Sequence, residues 1–243
     1  MTDFAVNRRT VLGGIAATGA LGAGIALCLD AFKDRLKDEP EGDVGIGVGP
    51  GGAVPQASVE PGGEGHGQAA PEITEMIMGD PDAPVEVIEF ASLTCLHCAR
   101  FHTDVFPRLR ENYIEAGQVK FLYREVYFDR FGLWGGMLAR CDETRYFGVI
   151  DLLLKQQAQW SRAGGPAEIV QAMRRVGAQA GLSAEQMERC LSDRPMAEAL
   201  LAQYQEYGRE YTISGTPAFV IQGQLYGNMA YDTFVERIEA ALA

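Results

Sequence analysis

Basic residues are in short supply. The chain of 243 residues has 21 Lys and Arg against 33 Asp and Glu, a formal net charge of -12. Nowhere do its lysines and arginines gather into a stripe with interleaved aromatics. Such a surface offers nucleic-acid phosphates no docking face, which excludes nucleic acid as a partner; the acidity itself speaks for solubility. Histidine is scarcer still, with His66, His97 and His102 the three present. Cysteine is limited to five, Cys28, Cys95, Cys98, Cys141 and Cys190, and a single pair has C-x-x-C spacing. Closed zinc needs four well-placed ligands, and Cys141 and Cys190 lie too far apart to be a second ligand pair. What remains for a metal is a binding module built on Cys95, Cys98 and either His97 or His102, and no resident metal is expected. The stripes Trp134, Leu138 and Phe147, Ile150, Leu154 have the helical spacing of a core rather than of a cofactor box, so no cofactor is expected either.

What is present organises the chain in three parts, with a hydrophobic content of 47% that is ordinary for one domain plus extensions. Arg8-Arg9 followed by an apolar, Gly- and Ala-rich run from Val11 to Leu29 reads as an export signal. NRRTVLGG resembles a twin-arginine signal, with Asn7 where Ser or Thr is usual and Val11 where Phe is usual. A signal-anchor is the alternative, because a helix over that run, rising about 1.5 Å per residue, would just span a hydrocarbon core of about 30 Å. No clean A-x-A site follows, and Leu27 is too large for a lipoprotein signal at Cys28. Residues 1–30 are thus an export signal or signal-anchor, and 31–71 a flexible linker. The Gly/Pro-rich tract from Glu39 to Pro71 cannot bury enough apolar surface to offset the entropy of ordering it, and His66 within it is solvated rather than a ligand. The expected location is the periplasm, with a tether to the inner membrane if the N-terminal segment is kept.

The compact part begins near Glu72. A short strand over Ile73 to Met78, a turn at GDPDAP and a strand over Val85 to Phe90 come first. A helix follows SLTC, with Cys98, Phe101, Val105 and Leu109 at spacings of three and four, and then a β-rich run from Val119 to Val126. From about Gly132 to Tyr211 the pattern is helical, with breaks at Ala163 to Pro166 and at Gly181 to Ser183. A strand over Ser214 to Ile221, a turn at Gln222-Gly223, a short strand around Leu225 and a helix over Tyr231 to Leu242 come next. The order is β, β, α, β, several helices, β, β, α.

The stretch EFASLTCLHCARFH, Glu89 to His102, places the C-x-x-C where an apolar run gives way to a more polar one. At a helix start this spacing leaves one sulfur at the exposed N-terminus and packs the other beneath the first turn. Cys95 is then the nucleophile, because backbone N–H groups and the positive helix end favour its thiolate; Cys98 resolves. The dipole is not sufficient alone, since at most about 2 kcal/mol moves a thiol pKa by about 1.5 units. His97 is expected to supply more as an imidazolium or N–H donor, the alternative being a merely exposed helix-start residue. A stabilised thiolate stabilises the reduced protein and makes the disulfide a stronger oxidant, so C-L-H-C argues for donating disulfides. Glu89 shares a strand face with Val85 and Val87 and is expected to be buried near Cys98; the alternative is a strand residue reaching solvent at a sheet edge. His102, one turn beyond Cys98, reads as a partly buried helix residue rather than a ligand.

These motifs in this order resemble the thioredoxin fold, and within it the DsbA-like thiol–disulfide oxidoreductases, α/β proteins with a helical domain inserted into the thioredoxin framework. The resemblance runs over roughly Glu72 to Ala243. It rests on the C-x-x-C with His97 inside it, Glu89 before it, Phe106-Pro107 in the following helix, and Thr216-Pro217 ahead of a strand. A lone C-x-x-C is a weak signal, but one joined to a preceding strand and a later TPAF is specific. Leu96 stands where the family often has proline, which bears on the redox potential rather than the reaction class.

The resemblance implies a domain over 72–243 with its helical insertion over about 130–208. It implies that Glu89 accepts or returns the proton of Cys98. It also implies that the Thr216-Pro217 loop faces the cysteines, its X-Pro bond able to be cis, with Thr216 offering backbone hydrogen bonds to an extended substrate segment. Substrates would be exported cysteine-containing proteins, and a quinone-linked membrane protein would reoxidise the pair. No dimerisation segment precedes the domain, so a monomeric oxidase is expected over a dimeric isomerase; isomerase or reductase activity is the alternative. Cys141 and Cys190 lie in ARC and ERCL contexts in which some family members carry a structural bridge. An oxidising compartment favours one, and two buried free thiols are the other reading. A copper- or zinc-handling protein of this fold and a noncatalytic scaffold complete the alternatives; the scaffold is disfavoured by both cysteines occurring together with the T-P pair.

Overall fold

The computed structural model describes residues 71–243. The expectations for the signal or anchor, Cys28, His66 and the linker up to residue 70 lie outside the described residues. Strand β2 (Val85–Ala91) forms the middle of a five-stranded sheet. Its sequence, VEVIEFA, is β-branched and aromatic with every residue but Glu86 buried, as a strand covered on both faces requires. Strand β3 (Val119–Glu125) pairs with it in parallel, and β4 (Ala218–Ile221) pairs antiparallel on its other side. Strands β1 (Ile77–Met78) and β5 (Gln224–Tyr226) are the edges, giving the order β1-β3-β2-β4-β5.

The period of two sorts β2 onto two cores. Val85, Val87 and Ala91 join the larger one, with Cys98 and Phe101 of the crossover. Ile88 and Phe90 face the other way, where Phe90 meets the Tyr207 and Tyr211 rings at 5.6 and 5.1 Å between centroids. A parallel β2–β3 pair needs a crossover connection, supplied by α1 (Leu96–Asp104), α2 (Phe106–Leu109) and a π-helical turn (Arg110–Ile114). The expected single helix is interrupted at Val105. Pro107 has no N–H to continue α1, and it sits in the first turn of α2, where none is needed.

Between β3 and β4 lies a helical insertion: α3 (Arg130–Ala139), a short 3-10 turn (Glu143–Arg145), α4 (Tyr146–Lys155), α5 (Gln157–Trp160), α6 (Pro166–Gln179), α7 (Ala184–Leu191) and α8 (Arg194–Glu210). Local sequence explains its punctuation. Asp129 accepts from the N–H groups of Phe131 and Gly132 to cap α3, Ser183 and Gln186 form a capping box at α7, and Pro166 opens α6. Further interruptions fall at Cys141-Asp142, Gln156 and Ser192-Asp193. Helix α9 (Tyr231–Leu242) packs against β2 and β4 with Phe234 and Ile238 buried.

Two strands are shorter than their sequences suggest. The reading of Ile73 to Met78 as strand holds for Ile77 and Met78 alone, because the Thr74 carbonyl accepts instead from Arg140 Nη1 at 2.9 Å. The same Arg140 grips Glu125 through Nε–Oε1 at 2.7 Å and Nη2–Oε2 at 2.8 Å, a buried fork that ties α3 to the end of β3. Ser214 to Pro217 likewise stay outside β4, since Pro217 has no N–H for the ladder and the chain there is turned toward the cysteines. Among the described residues no helix is long and apolar enough to cross a membrane.

Candidate active site

Cys95 ends the turn that leads out of β2 and is the N-cap of α1. It is half-buried, whereas Cys98 is fully buried, and both thiols are free. The turn is held by Cys95 N–H donating to the Ser92 carbonyl at 3.1 Å, and by Thr94 bonding Ser92 Oγ through its hydroxyl at 3.1 Å and its N–H at 3.4 Å. Helix α3 reaches this turn because Gly135 has no side chain; a Cβ there would sit 2.5 Å from Leu93 Cδ1. The first turn of α1 contains no acidic residue, so no carboxylate competes for its N–H groups or its positive end.

Across from the cysteines, the Thr216-Pro217 bond is cis, and the Thr216 carbonyl accepts from the Cys95 thiol at 3.3 Å. The Thr216 hydroxyl is buried and has no hydrogen-bond partner among the described residues. It lies outside hydrogen-bonding geometry to either sulfur, and its nearness lowers both thiols.

The two thiols are driven apart. Cys95 is lowered from 9.0 to about 5, chiefly by the hydrogen bond from the Cys98 thiol; burial opposes this, while Thr216 and the backbone N–H groups of Cys98 and His97 assist. Cys98 is raised far above an ordinary thiol, because its proton is engaged by the Cys95 sulfur, because it is buried, and because the Glu89 charge lies close. Within the pair, acidity is thus directed to Cys95 and the proton is kept by Cys98.

His97 departs from its expectation as a side-chain donor. Cys98, Ala99, Phe101 and His102 occupy the buried face of α1, so the side chain between Leu96 and Cys98 points outward. The imidazole is exposed, no hydrogen bond joins it to Cys95 Sγ, and the residue reaches the sulfur through its backbone N–H.

Glu89 is fully buried, in register with Tyr123 on β3 and Phe219 on β4. Its Oε2 lies 2.8 Å from His102 Nε2, while its Oε1 is buried without a partner among the described residues. His102, read from sequence as partly buried, is in fact 3% exposed and packs its ring on Phe106 at 4.6 Å. The signal was legible: His102 lies one turn after Cys98 on the face that meets β2, where the buried carboxylate sits. With Nε2 engaged there and His97 turned outward, the ligand set considered for a metal is not assembled. Among the described residues no cluster of three or more His, Cys, Asp or Glu is arranged for a metal ion.

A further residue gave no sequence signal. Gln157, buried in α5, donates through Nε2 to the carbonyls of Leu93 at 2.7 Å and Cys95 at 2.9 Å. A glutamine in a helical stretch reads as surface, and nothing local marks it as a partner of a loop more than sixty positions earlier. Away from these groups, Cys141 at the end of α3 and Cys190 in α7 are joined as a disulfide, their Cα atoms 5.6 Å apart.

A sequence profile described as thioredoxin matches residues 72–240. A Rickettsia bellii protein, provisionally named a protein-disulfide oxidoreductase, is 30% identical over 170 residues, covering 69% of this chain and 64% of that protein. The chain therefore spans just under two thirds of that relative's length. The crystal structure of Wolbachia pipientis alpha-DsbA1 superposes with a TM-score of 0.64 at 25% identity, covering 71% of this chain and 93% of that one. A protein-disulfide isomerase structure from Novosphingobium aromaticivorans gives a TM-score of 0.63 at 25% identity, covering 69% and 97%.

Proposed function

Because the chain belongs to the thioredoxin family, with the helical insertion of its DsbA-like members, we propose that it is a thiol–disulfide oxidoreductase that donates the Cys95–Cys98 disulfide to substrate protein thiols. The observation that carries this reading is the asymmetry of the pair: a half-buried Cys95 lowered to about 5 beside a buried Cys98 raised far above it. A sulfur so stabilised as a thiolate is a good leaving group, and stabilising the reduced pair makes its disulfide oxidising.

In the oxidised enzyme a substrate thiolate attacks Cys95 Sγ, forming a mixed disulfide as the Cys95–Cys98 bond breaks and Cys98 leaves as a thiolate. Cys98 then takes up a proton, and Glu89 is assigned to give it, a reading supported by Oε2 being held by His102 and Oε1 having no partner among the described residues. A second substrate thiolate attacks the substrate sulfur of the mixed disulfide, and Cys95 departs as the stabilised thiolate. Two electrons pass from the substrate dithiol to the enzyme. The Thr216 carbonyl at 3.3 Å from Cys95 marks the edge along which an extended substrate segment would lie, and Leu96, 48% exposed beside the nucleophile, offers it apolar contact.

The natural substrates are exported cysteine-containing proteins, and a membrane redox protein restores the disulfide. Export rests on the N-terminal signal-like residues, which also make a tethered periplasmic protein the working arrangement. Equilibration with glutathione tests the reading, together with oxidation of a reduced, unfolded cysteine-containing protein. A potential nearer the about -120 mV of a strong oxidase than the about -270 mV of a reductase is expected. A potential at the reducing end, with no net oxidation of the substrate, would replace the oxidase. Isomerase activity is the second reading, since a structure at 25% identity bears that name; faster rescue of a scrambled substrate than oxidation of a reduced one would favour it.

A further inference from the structure

We infer that Gln157 of the helical insertion is a positioning residue of the redox site, its side-chain amide holding the chain on either side of Cys95 so that N–H groups face the sulfur. The inference rests on the oxidoreductase reading for its significance but on contacts alone for its argument. The Leu93 carbonyl belongs to the peptide unit ahead of Thr94, and the Cys95 carbonyl to the unit ahead of Leu96. Gln157 Nε2 donates to both, at 2.7 and 2.9 Å, which uses both of its protons. The unit between them is fixed separately by Cys95 N–H on the Ser92 carbonyl at 3.1 Å, and the Cys95 carbonyl also accepts from Ala99 N–H at 3.2 Å. Three consecutive peptide planes around the nucleophile are thereby set. With the Cys95 carbonyl drawn away from the sulfur, the peptide N–H groups at the start of α1 stay aligned on it.

The clamp comes from a well-anchored place. Helix α5 is one turn long, and Trp160 within it is 1% exposed and donates through Nε1 to the Leu153 carbonyl at 2.7 Å. Gln157 is itself 5% exposed, so its amide has no water to fall back on and its bonds are kept. Glutamine also fits the task chemically. Asparagine is a methylene too short, glutamate offers the carbonyls no donor, and a charged donor would be costly to bury there. The helical insertion thus does more than cover the thioredoxin frame, since one of its side chains sets the backbone of the active-site turn.

Absorbance titration of the Cys95 thiolate tests this without any substrate, so its outcome is independent of whether the protein proves an oxidase. Gln157→Met keeps the side chain's length and removes both donors; Gln157→Glu keeps its shape and leaves only acceptors. The expected result is a rise of about one unit or more in the Cys95 pKa for Gln157→Met, a tenfold weaker ionisation that lowers the reduction potential by about 30 mV. Gln157→Glu is expected to move it further in the same direction. A role in packing alone would lower the melting temperature of oxidised and reduced protein equally and leave the Cys95 pKa in place, which overturns the inference. If neither variant folds, the unaltered protein decides. Both Gln157 Nε2 protons should be protected from solvent exchange in its side-chain NMR spectrum and should shift as Cys95 ionises; fast exchange of both would overturn the clamp. Titration shifts as expected in a protein that oxidises no thiol substrate would leave the clamp standing and remove the proposed function.

Discussion

The chain holds two cysteine pairs in opposite surroundings. Cys95 and Cys98 share one helical turn at the mouth of the thioredoxin frame, where the half-buried sulfur meets the Thr216 carbonyl and the N–H groups of α1. Cys141 and Cys190, 49 positions apart, join two helices of the insertion. What separates them is the fate of the thiolate. At Cys95 a negative sulfur is met by a thiol and by main-chain donors, which stabilises the reduced pair. The insertion pair staples α3 to α7, and Cys141 Sγ lies 3.8 Å from the Gln186 carbonyl, an acceptor that does nothing for a thiolate. Reactivity follows from what faces the sulfur rather than from the presence of two cysteines.

The sharpest way to break that comparison is to exchange sulfur for oxygen in each pair. Cys95→Ser should abolish thiol exchange altogether, and Cys98→Ser should accumulate mixed disulfides with client proteins on non-reducing gels. The double variant Cys141→Ser/Cys190→Ser should retain exchange. Faster alkylation of Cys98 than of Cys95 in the reduced protein would reverse the assigned roles.

For the insertion pair the expected effect is on stability. Losing a bridge that closes a loop of 49 residues should cost about 4 kcal/mol in the chain-entropy account. It would be read from denaturant midpoints with the Cys95–Cys98 potential unchanged. A midpoint that did not move, or a potential that did, would erase the division of labour between the pairs.

Acidity distinguishes the pairs further, because only Cys95 titrates from a lowered value. Its folded pKa lies below its unfolded one, so the stabilisation that its thiolate gives the reduced protein is fully present above about pH 9 and is lost as pH falls through about 5. The melting temperature of reduced protein relative to oxidised should therefore climb across that window and level off at its upper end. A difference constant with pH would mean that Cys95 carries no special charge. The other ionisable groups facing this turn are Cys98, Glu89 and, at the far side of Glu89, His102 and Tyr123.

Glu89→Gln removes the proposed proton source for Cys98 while keeping shape. General acid–base contributions of this kind are worth about a hundredfold, and the loss should fall on formation and reversal of the mixed disulfide rather than on the equilibrium potential. His102→Leu should show the same kinetic phenotype in milder form by freeing Oε2, and unaltered stopped-flow rates in both variants would exclude the route through Glu89.

The smallest effect belongs to His97. With its ring exposed and its backbone carrying the contact, His97→Ser should shift the potential by about 10 mV or less, the scale of an exposed charge. A shift several times larger would restore the imidazole as a direct donor to Cys95.

How much of this was legible depended on distance along the chain. Val85 to Phe90 declared a buried strand by its β-branched and aromatic run, and the alternation within it put Glu89 on the same face as Val87. The C-x-x-C at the strand-to-helix junction ranked the two sulfurs, because a helix N-cap is exposed and the residue three later is not, as their burial shows. Ser183, Pro166 and the final helix from Tyr231 to Leu242 were readable for the same reason, since caps, proline and periodicity act within a few residues. Pro107 was equally visible, yet its effect depended on how α1 and α2 packed. The contacts that tune the site were not encoded locally. Thr216 meets Cys95 across 121 positions, and Gln157 meets its carbonyls across 62 and 64. His102 finds Glu89 only once α1 lies on β2. A threonine, a glutamine and a histidine have no meaning for a thiolate until helices and sheet dock and burial deprives their polar atoms of water. The sequence by itself determined where the reactive sulfur would stand; the docking of the insertion and of β4 onto the central strand decided what that sulfur would face.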